Sequence, residues 1–214
     1  TVPGAIDAWC RLIEDYGTKG LDELLAPAVH LARDGYPIHS RVATDFARQV
    51  RVLERDSTLA RIFLPGGAPP GTGSLHHQPQ MADTLELIGR RGRDGFYTGP
   101  VAEDLVTCLR GLGGLHSMDD FAAARGEYVT PISIDYGGHG VFECPPNGQG
   151  VTALEMLNIL AEFDFGAKAP LSVERLHIEI EATRLAYRDR DAHLADPAQA
   201  EVPVKRLLSQ TRAQ

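Results

Sequence analysis

At 214 residues, 43% hydrophobic and 23% charged, the chain is long enough for one sizeable core and has the composition of an ordinary globular protein. Its formal net charge of −8, from 29 acidic against 21 basic side chains, argues against nucleic acid and against an anionic membrane surface as partners. Cys10, Cys108 and Cys144 are too few and too widely spaced for a disulfide framework or a C-x-x-C zinc site, and no apolar run approaches the ~20 residues of a membrane helix. Such thiol usage makes a reduced, cytoplasmic setting the default and leaves periplasmic or extracellular settings open. The opening "TVPGAIDAWC" has no initiator Met and no signal-peptide pattern, so the chain is expected to be processed or a fragment.

The first third reads as helical. Ile6, Trp9, Ile13 and Tyr16 recur at three- and four-residue steps, and Gly17 stands where a C-terminal cap belongs. Leu21, Leu24 and Leu25 begin a second run that Pro27 should interrupt or restart and that closes at Asp34-Gly35. Ser40 is placed to cap a helix carrying Val42, Phe46, Val50 and Leu53 inward. "LPGGAPPGTGS", 64–74, has no periodicity and reads as a loop within one domain spanning 1–214. Two helices are expected between Pro79 and Leu109, divided by "DGFYTGP", and Ser117 with Asp120 resembles a capping box ahead of Phe121.

At Tyr128 the period changes to two. Ile132, Ile134 and Tyr136 share a face, Gly137-Gly138 make a turn, and Val141-Phe142 resume, which predicts a β-hairpin near 128–144. Residues 151–163 are apolar nearly all round and predict a buried helix, followed by a longer polar one from about Ser172 to His193. Many helices and a hairpin running into a buried helix make the fold class α+β.

"CPPNGQG", 144–150, lies between that hairpin and the buried helix. Three readings are open. Backbone N–H groups at the helix start could cradle an anion, although the P-loop lysine and the three-glycine fingerprint are missing. The segment could be a rigid elbow, with Pro145-Pro146 ending the ladder and the glycines allowing a sharp turn, and this reading is weighed ahead of the first. Between them, Asn147 and Gln149 could present their amides to a pocket at the sheet's end. Further on, His177, Glu181, Asp189, Asp191 and His193 invite a metal site, but Arg184, Arg188 and Arg190 are interleaved, which favours a salt-bridged helix. His76-His77 has no acid nearby, and Cys144 reads as a packed small apolar residue rather than a nucleophile. Thr1 could in principle act as an N-terminal nucleophile, but the stiff Val2-Pro3-Gly4 reads as a lead into a helix.

Taken in order, "VPGAIDAWCRLIEDYG", "LLAPAVHLARDGYPI", "QPQMADTLELIGRRGRDGFYTGPVAEDLV", "GGLHSMDDFAAARGEYVTPISIDYGGHGVFECPPNGQG", "EATRLAYRDRDAHLADP" and "VPVKRLLSQ" resemble one family over nearly the whole chain, the γ-glutamyltranspeptidases and their acylase-like relatives. The resemblance implies a mostly helical part of an αββα N-terminal-nucleophile hydrolase sandwich. It implies a precursor that cleaves itself, and a small subunit whose new N-terminal Thr attacks a γ-glutamyl or related amide of a small-molecule substrate to form an acyl-enzyme. Glutathione metabolism is the usual setting of such enzymes, and no metal or organic cofactor is implied. Against that pattern the chain matches only the middle and end of a large subunit. Neither the Thr-Thr-His-type start of the small subunit nor the substrate-carboxylate Arg has a counterpart here, so no catalytic residue is assigned and the chain alone is expected to be inert. Where transpeptidases resemble Pro-Pro-Ser-Ser-Gly-Gly, this chain has Pro145-Pro146-Asn147-Gly148-Gln149-Gly150, a version resembling acylase-type and oxamate-amidohydrolase-type relatives. Asn147, Gly148 and Gln149 are therefore the candidate substrate-binding residues. A non-catalytic scaffold derived from the family, and a phosphate-binding protein, are the competing readings.

Overall fold

Helix α1, Ala5–Tyr16, forms where the three- and four-residue periodicity predicts it, and the Gly17 N–H closes it on the Ile13 carbonyl at 2.8 Å. In this computed structural model, residues 1–166 and 168–214 are described. They form two units, Thr1–Glu127 and Tyr128–Gln214.

In the first unit, α2, Leu21–Asp34, runs unbroken through Pro27, where an interruption or restart is expected. Its packing against α5, Pro79–Arg91, supplies the stabilisation that outweighs the hydrogen bond Pro27 cannot donate. Helix α3, Ser40–Leu53, starts one residue earlier than predicted: His39 is the cap, its Nδ1 accepting from the Arg41 N–H at 3.2 Å. A further helix, α4, Ser57–Phe63, is capped by Asp56, which accepts from the N–H groups of Thr58 and Leu59 at 2.9 Å each. The 64–74 loop ends in a two-residue pairing, β1, Tyr36–Pro37, against β2, Leu75–His76.

Between α5 and α7, Pro100–Gly111, the segment expected as a divider folds as one helical turn, α6, Asp94–Tyr97. The capping box is present in full at α8, Met118–Ala123: Ser117 Oγ accepts from the Asp120 N–H at 3.2 Å, and Asp120 Oδ2 accepts from the Ser117 N–H at 2.8 Å. The core joins Ile6, Ile88, Tyr97, Ala102, Val106 and Phe121. Fully burying a side chain such as Phe121 contributes about 1.5–3 kcal/mol.

A polar hub sits at the edge of this core. Buried Asp7 accepts from Arg93 Nε at 2.7 Å and from the Gly126 N–H at 2.6 Å. Arg93 also donates to the carbonyls of Ala122 and Ala124 at 2.9 and 2.5 Å, and its guanidinium lies over the Tyr97 ring. The Tyr97 hydroxyl donates to the Pro3 carbonyl at 2.6 Å, so the start of α1, α6 and the exit of α8 are tied at one point.

The second unit is built on an antiparallel hairpin, β3, Ile132–Tyr136, and β4, His139–Glu143, in the register Ile134 opposite Val141. It is shorter than the predicted 128–144. Gly137 and Gly138 turn it with φ of 60° and 80°, the left-handed pair that a two-residue loop requires. Helix α9, Gly150–Ala161, packs against both strands and against α10, Val173–His193, which Ser172 caps. Two short helices follow, α11, Val204–Leu207, and α12, Gln210–Ala213, and both touch α9. Val151, Leu154, Ile159, Ala182, Ala186 and Leu207 are its buried apolar side chains. On α10, Val173, Leu176, Ile180 and Tyr187 fall in one helical stripe that is exposed by 78, 38, 56 and 42%.

Candidate functional site

Strand β4 delivers the chain to Cys144, and Pro145-Pro146 stop the ladder because proline has no N–H to give. Asn147, Gly148 and Gln149 form an exposed turn that opens directly into α9. Gln149 is the N-cap of that helix by position, but its side chain makes no capping bond. Its Oε1 instead accepts from Arg190 Nη1 at 3.0 Å, and the same guanidinium donates to Asp191. The turn is thereby tied to the last turn of α10. Asn147 and Gly148 share the exposed turn with Gln149, so the three candidate binding residues are brought together at the strand-to-helix junction.

The two glycines of the turn have different reasons to be there. A side chain on Gly150 would begin 2.7 Å from the Cys144 carbonyl and 2.7 Å from Glu143 Cβ, so the helix can start this close to the strand only with hydrogen at that position. A side chain begun on Gly148 would meet nothing within 4 Å beyond its chain neighbours. Gly150→Ala is expected to cost about 1–3 kcal/mol because a backbone carbonyl cannot move aside, whereas Gly148→Ala should stay within about 0.5 kcal/mol. Urea denaturation of both variants checks this, and equal losses would show that the close approach is not what selects glycine at 150.

Helix α9 differs from its reading as apolar nearly all round. Thr152, Glu155 and Asn158, at steps of three, are exposed by only 3, 4 and 2% and form a buried polar seam. Asn158 Nδ2 donates to the Leu208 carbonyl at 3.0 Å. Glu155 meets Asp189 of α10, itself 4% exposed, and Arg212 of α12 donates to Asp189 Oδ2 through Nε at 2.9 Å. Burial and the neighbouring Asp189 push the Glu155 carboxyl up to about 8, while Arg212 and the Glu155 hydrogen bond hold Asp189 below the usual carboxylate range despite its burial. The spacing of Thr152, Glu155 and Asn158 in an apolar run is the signal that could have located this seam.

The other candidate residues are dispersed. Glu181 pairs with Arg184 at 2.9 Å and Asp191 with Arg190 at 2.7 Å, so interleaved arginines take up these two carboxylates, while His193 Nε2 meets Arg206 Nη2 of α11 at 3.0 Å and His177 is exposed. Among the described residues, no group of three His, Cys, Asp or Glu side chains is arranged to hold a metal ion. Cys144 is exposed, not packed, because the prolines that follow it carry the chain away from the sheet. His76 is buried among Phe46, Phe63 and Tyr36, stacked on Phe63 with centroids 5.7 Å apart, and burial pushes its imidazole down. It serves as a core aromatic that the sequence does not announce. The Thr1 carbonyl meets His116 Nε2 at 3.2 Å.

A sequence model of the family described as gamma-glutamyltranspeptidase matches residues 1–214. The chain is 38% identical to the glutathione hydrolase-like YwrD proenzyme of Bacillus subtilis, over all of this chain and 41% of that protein. It is 36% identical to the acylase ACY 1 proenzyme of a Pseudomonas species, over 99% of this chain and 38% of the other. The chain thus spans about two-fifths of the length of these curated relatives. Among solved structures it superposes on the gamma-glutamyltranspeptidase of Helicobacter pylori with a TM-score of 0.88 at 30% identity, covering all of this chain and 62% of that one. The fold is accordingly that of N-terminal-nucleophile hydrolases.

Proposed function

Because the chain belongs to the gamma-glutamyltranspeptidase family, we propose that it is the large-subunit portion of a self-processing amidohydrolase or acyltransferase. Its partner in this reading is a small subunit bearing an N-terminal Thr, which attacks the amide of a small molecule and carries the acyl group until water or an amine takes it. The family match from end to end, to relatives that are proenzymes, carries the reading. The chain by itself supplies no nucleophile and is inert in this reading, and residues 1–214 form part of one domain of the complete enzyme.

Two physical features support a partner chain. A two-stranded ribbon is marginal alone in water, and among the described residues β3 and β4 pair only with each other. Phe142 on β4 is 67% exposed, and the Val173–Tyr187 stripe of α10 is likewise open. Strands and helices from a second chain would cover such surfaces.

Within this proposal, Asn147, Gly148 and Gln149 form a rim to which a substrate amide could hydrogen-bond, with Gln149 oriented by Arg190. An acylase-type or oxamate-amidohydrolase-type substrate is favoured over a γ-glutamyl one by the Asn-Gly-Gln-Gly version of the turn. An intact-mass spectrum of the protein made from its full-length gene tests the proposal. Two chains are expected, one containing this sequence and one beginning with Thr. A single unprocessed species would overturn self-processing and leave a non-catalytic scaffold as the reading.

A further inference from the structure

Unit 1 carries an open groove that none of the chemistry above uses. It is lined by side chains of α1, α5, α6 and α7 and has a volume of about 500 Å³, within the range of small-molecule sites. Buried Ile6 and Ile88 line it from the core side. Trp9 and Met81 line it from the surface, 42 and 49% exposed, and half-buried Phe96 completes the apolar wall. Ile6 and Trp9 are three residues apart on α1, so the helix that buries the first turns the second toward the same side. Leaving the single tryptophan two-fifths in water forgoes apolar burial that a ligand can recover. The polar lining is sparse. Thr84 donates its hydroxyl to the Gln80 carbonyl of its own helix at 3.0 Å. Asp104, exposed on α7, has no hydrogen bond or ion pair among the described residues, and no Lys, Arg or His lines the groove with it. The one formal charge at the groove is an unpaired carboxylate.

We propose that this groove binds a small organic cation, an ammonium carried on an aryl or alkyl body. The body displaces water from Ile6, Ile88 and Met81, and the ammonium pairs with Asp104. Trp9 and Phe96 add π-surface, which attracts a cation within about 6 Å of a ring centroid and does so best for Trp. Only a cation draws on all three. A neutral analogue keeps the apolar contact and loses the rest, and an anion meets Asp104 as a like charge.

Trp9 makes the groove report on itself, since it is the one tryptophan of the chain and part of the lining. Titrating the full chain with phenethylammonium should shift its emission to a plateau. The neutral analogue 2-phenylethanol and the anion phenylacetate should each need about tenfold higher concentration or more for the same shift. In Asp104→Asn the ammonium should bind about as weakly as the alcohol, and the alcohol as it does in the unmodified chain. Equal responses to the three probes, or none, overturn the site, because they mark a surface that does not read charge. A preference for the ammonium that survives in Asp104→Asn overturns it as well. So does an emission shift that grows with protein concentration alone and blocks the probes, which would put a second copy of the chain in the groove. Should Asp104→Asn fail to fold, the ranking of the three probes on the unmodified chain decides: the ammonium about tenfold ahead supports the site, and any other order overturns it.

Discussion

Arg93→Ala is expected to destabilise unit 1 by about 3–5 kcal/mol, the range found when one partner of a buried ion pair is removed. The guanidinium serves Asp7, whose side chain is 6% exposed, and two carbonyls at the exit of α8. Its loss leaves the Asp7 carboxylate with the Gly126 N–H and no countercharge in a site closed to water. Urea denaturation followed through Trp9, the single tryptophan, reads unit 1 selectively. A loss below about 1 kcal/mol would mean that the pair behaves like a surface salt bridge and that the hub is held by its backbone bonds alone.

The second large effect is on how stability depends on pH in unit 2. Glu155 has its folded value raised from 4.5 to about 8, so its protonated form is the one folding favours. That stability is complete below about 4.5, is lost progressively as pH rises, and is gone above about 8. Asp189 works in the opposite sense: lowered in the folded chain, it stabilises above its unfolded value of 3.8 and loses that contribution as pH falls. Replacing Glu155 with glutamine removes the alkaline arm and leaves the acid one. We expect the variant to gain on the unmodified protein by about 2–4 kcal/mol between weakly acidic and weakly alkaline pH. Far-ultraviolet circular dichroism is the suitable probe, as Trp9 lies in unit 1. Parallel pH profiles for the two proteins would refute the assignment.

Much of the architecture is legible because local chemistry and tertiary packing agree. The Ser117–Asp120 box and the Gly137-Gly138 turn need only short-range geometry, and both form as their residues predict. Pro27 shows where local rules lose: one missing hydrogen bond is outweighed by the packing of α2 on α5. The β1–β2 pairing is invisible because it joins residues some forty positions apart over two residues each, too short to show alternation. In the candidate site, the elbow is readable from Pro145-Pro146 and the glycines, but which glycine is sterically required is not, since that depends on where the Cys144 carbonyl lies. Arg190 on Gln149 and Arg212 on Asp189 are likewise beyond sequence spacing, the first joining residues 41 apart and the second bridging two helices.

The division of labour between Gly150 and its neighbours has a consequence for how such a protein can diverge. Position 150 is sterically closed, whereas 147–149 are solvated and Gly148 has open space where a side chain would begin. Mutations drifting through 147 and 148 meet little stability filter, and at 149 only the exposed bond to Arg190 is at stake, so the identity of the rim can be rewritten in single steps while the strand and helix beneath it stay in register. Selection on substrate preference and selection on foldability act there on separate residues, and a library randomised at 147–149 with Gly150 held should yield folded variants far more often than one randomised at 150.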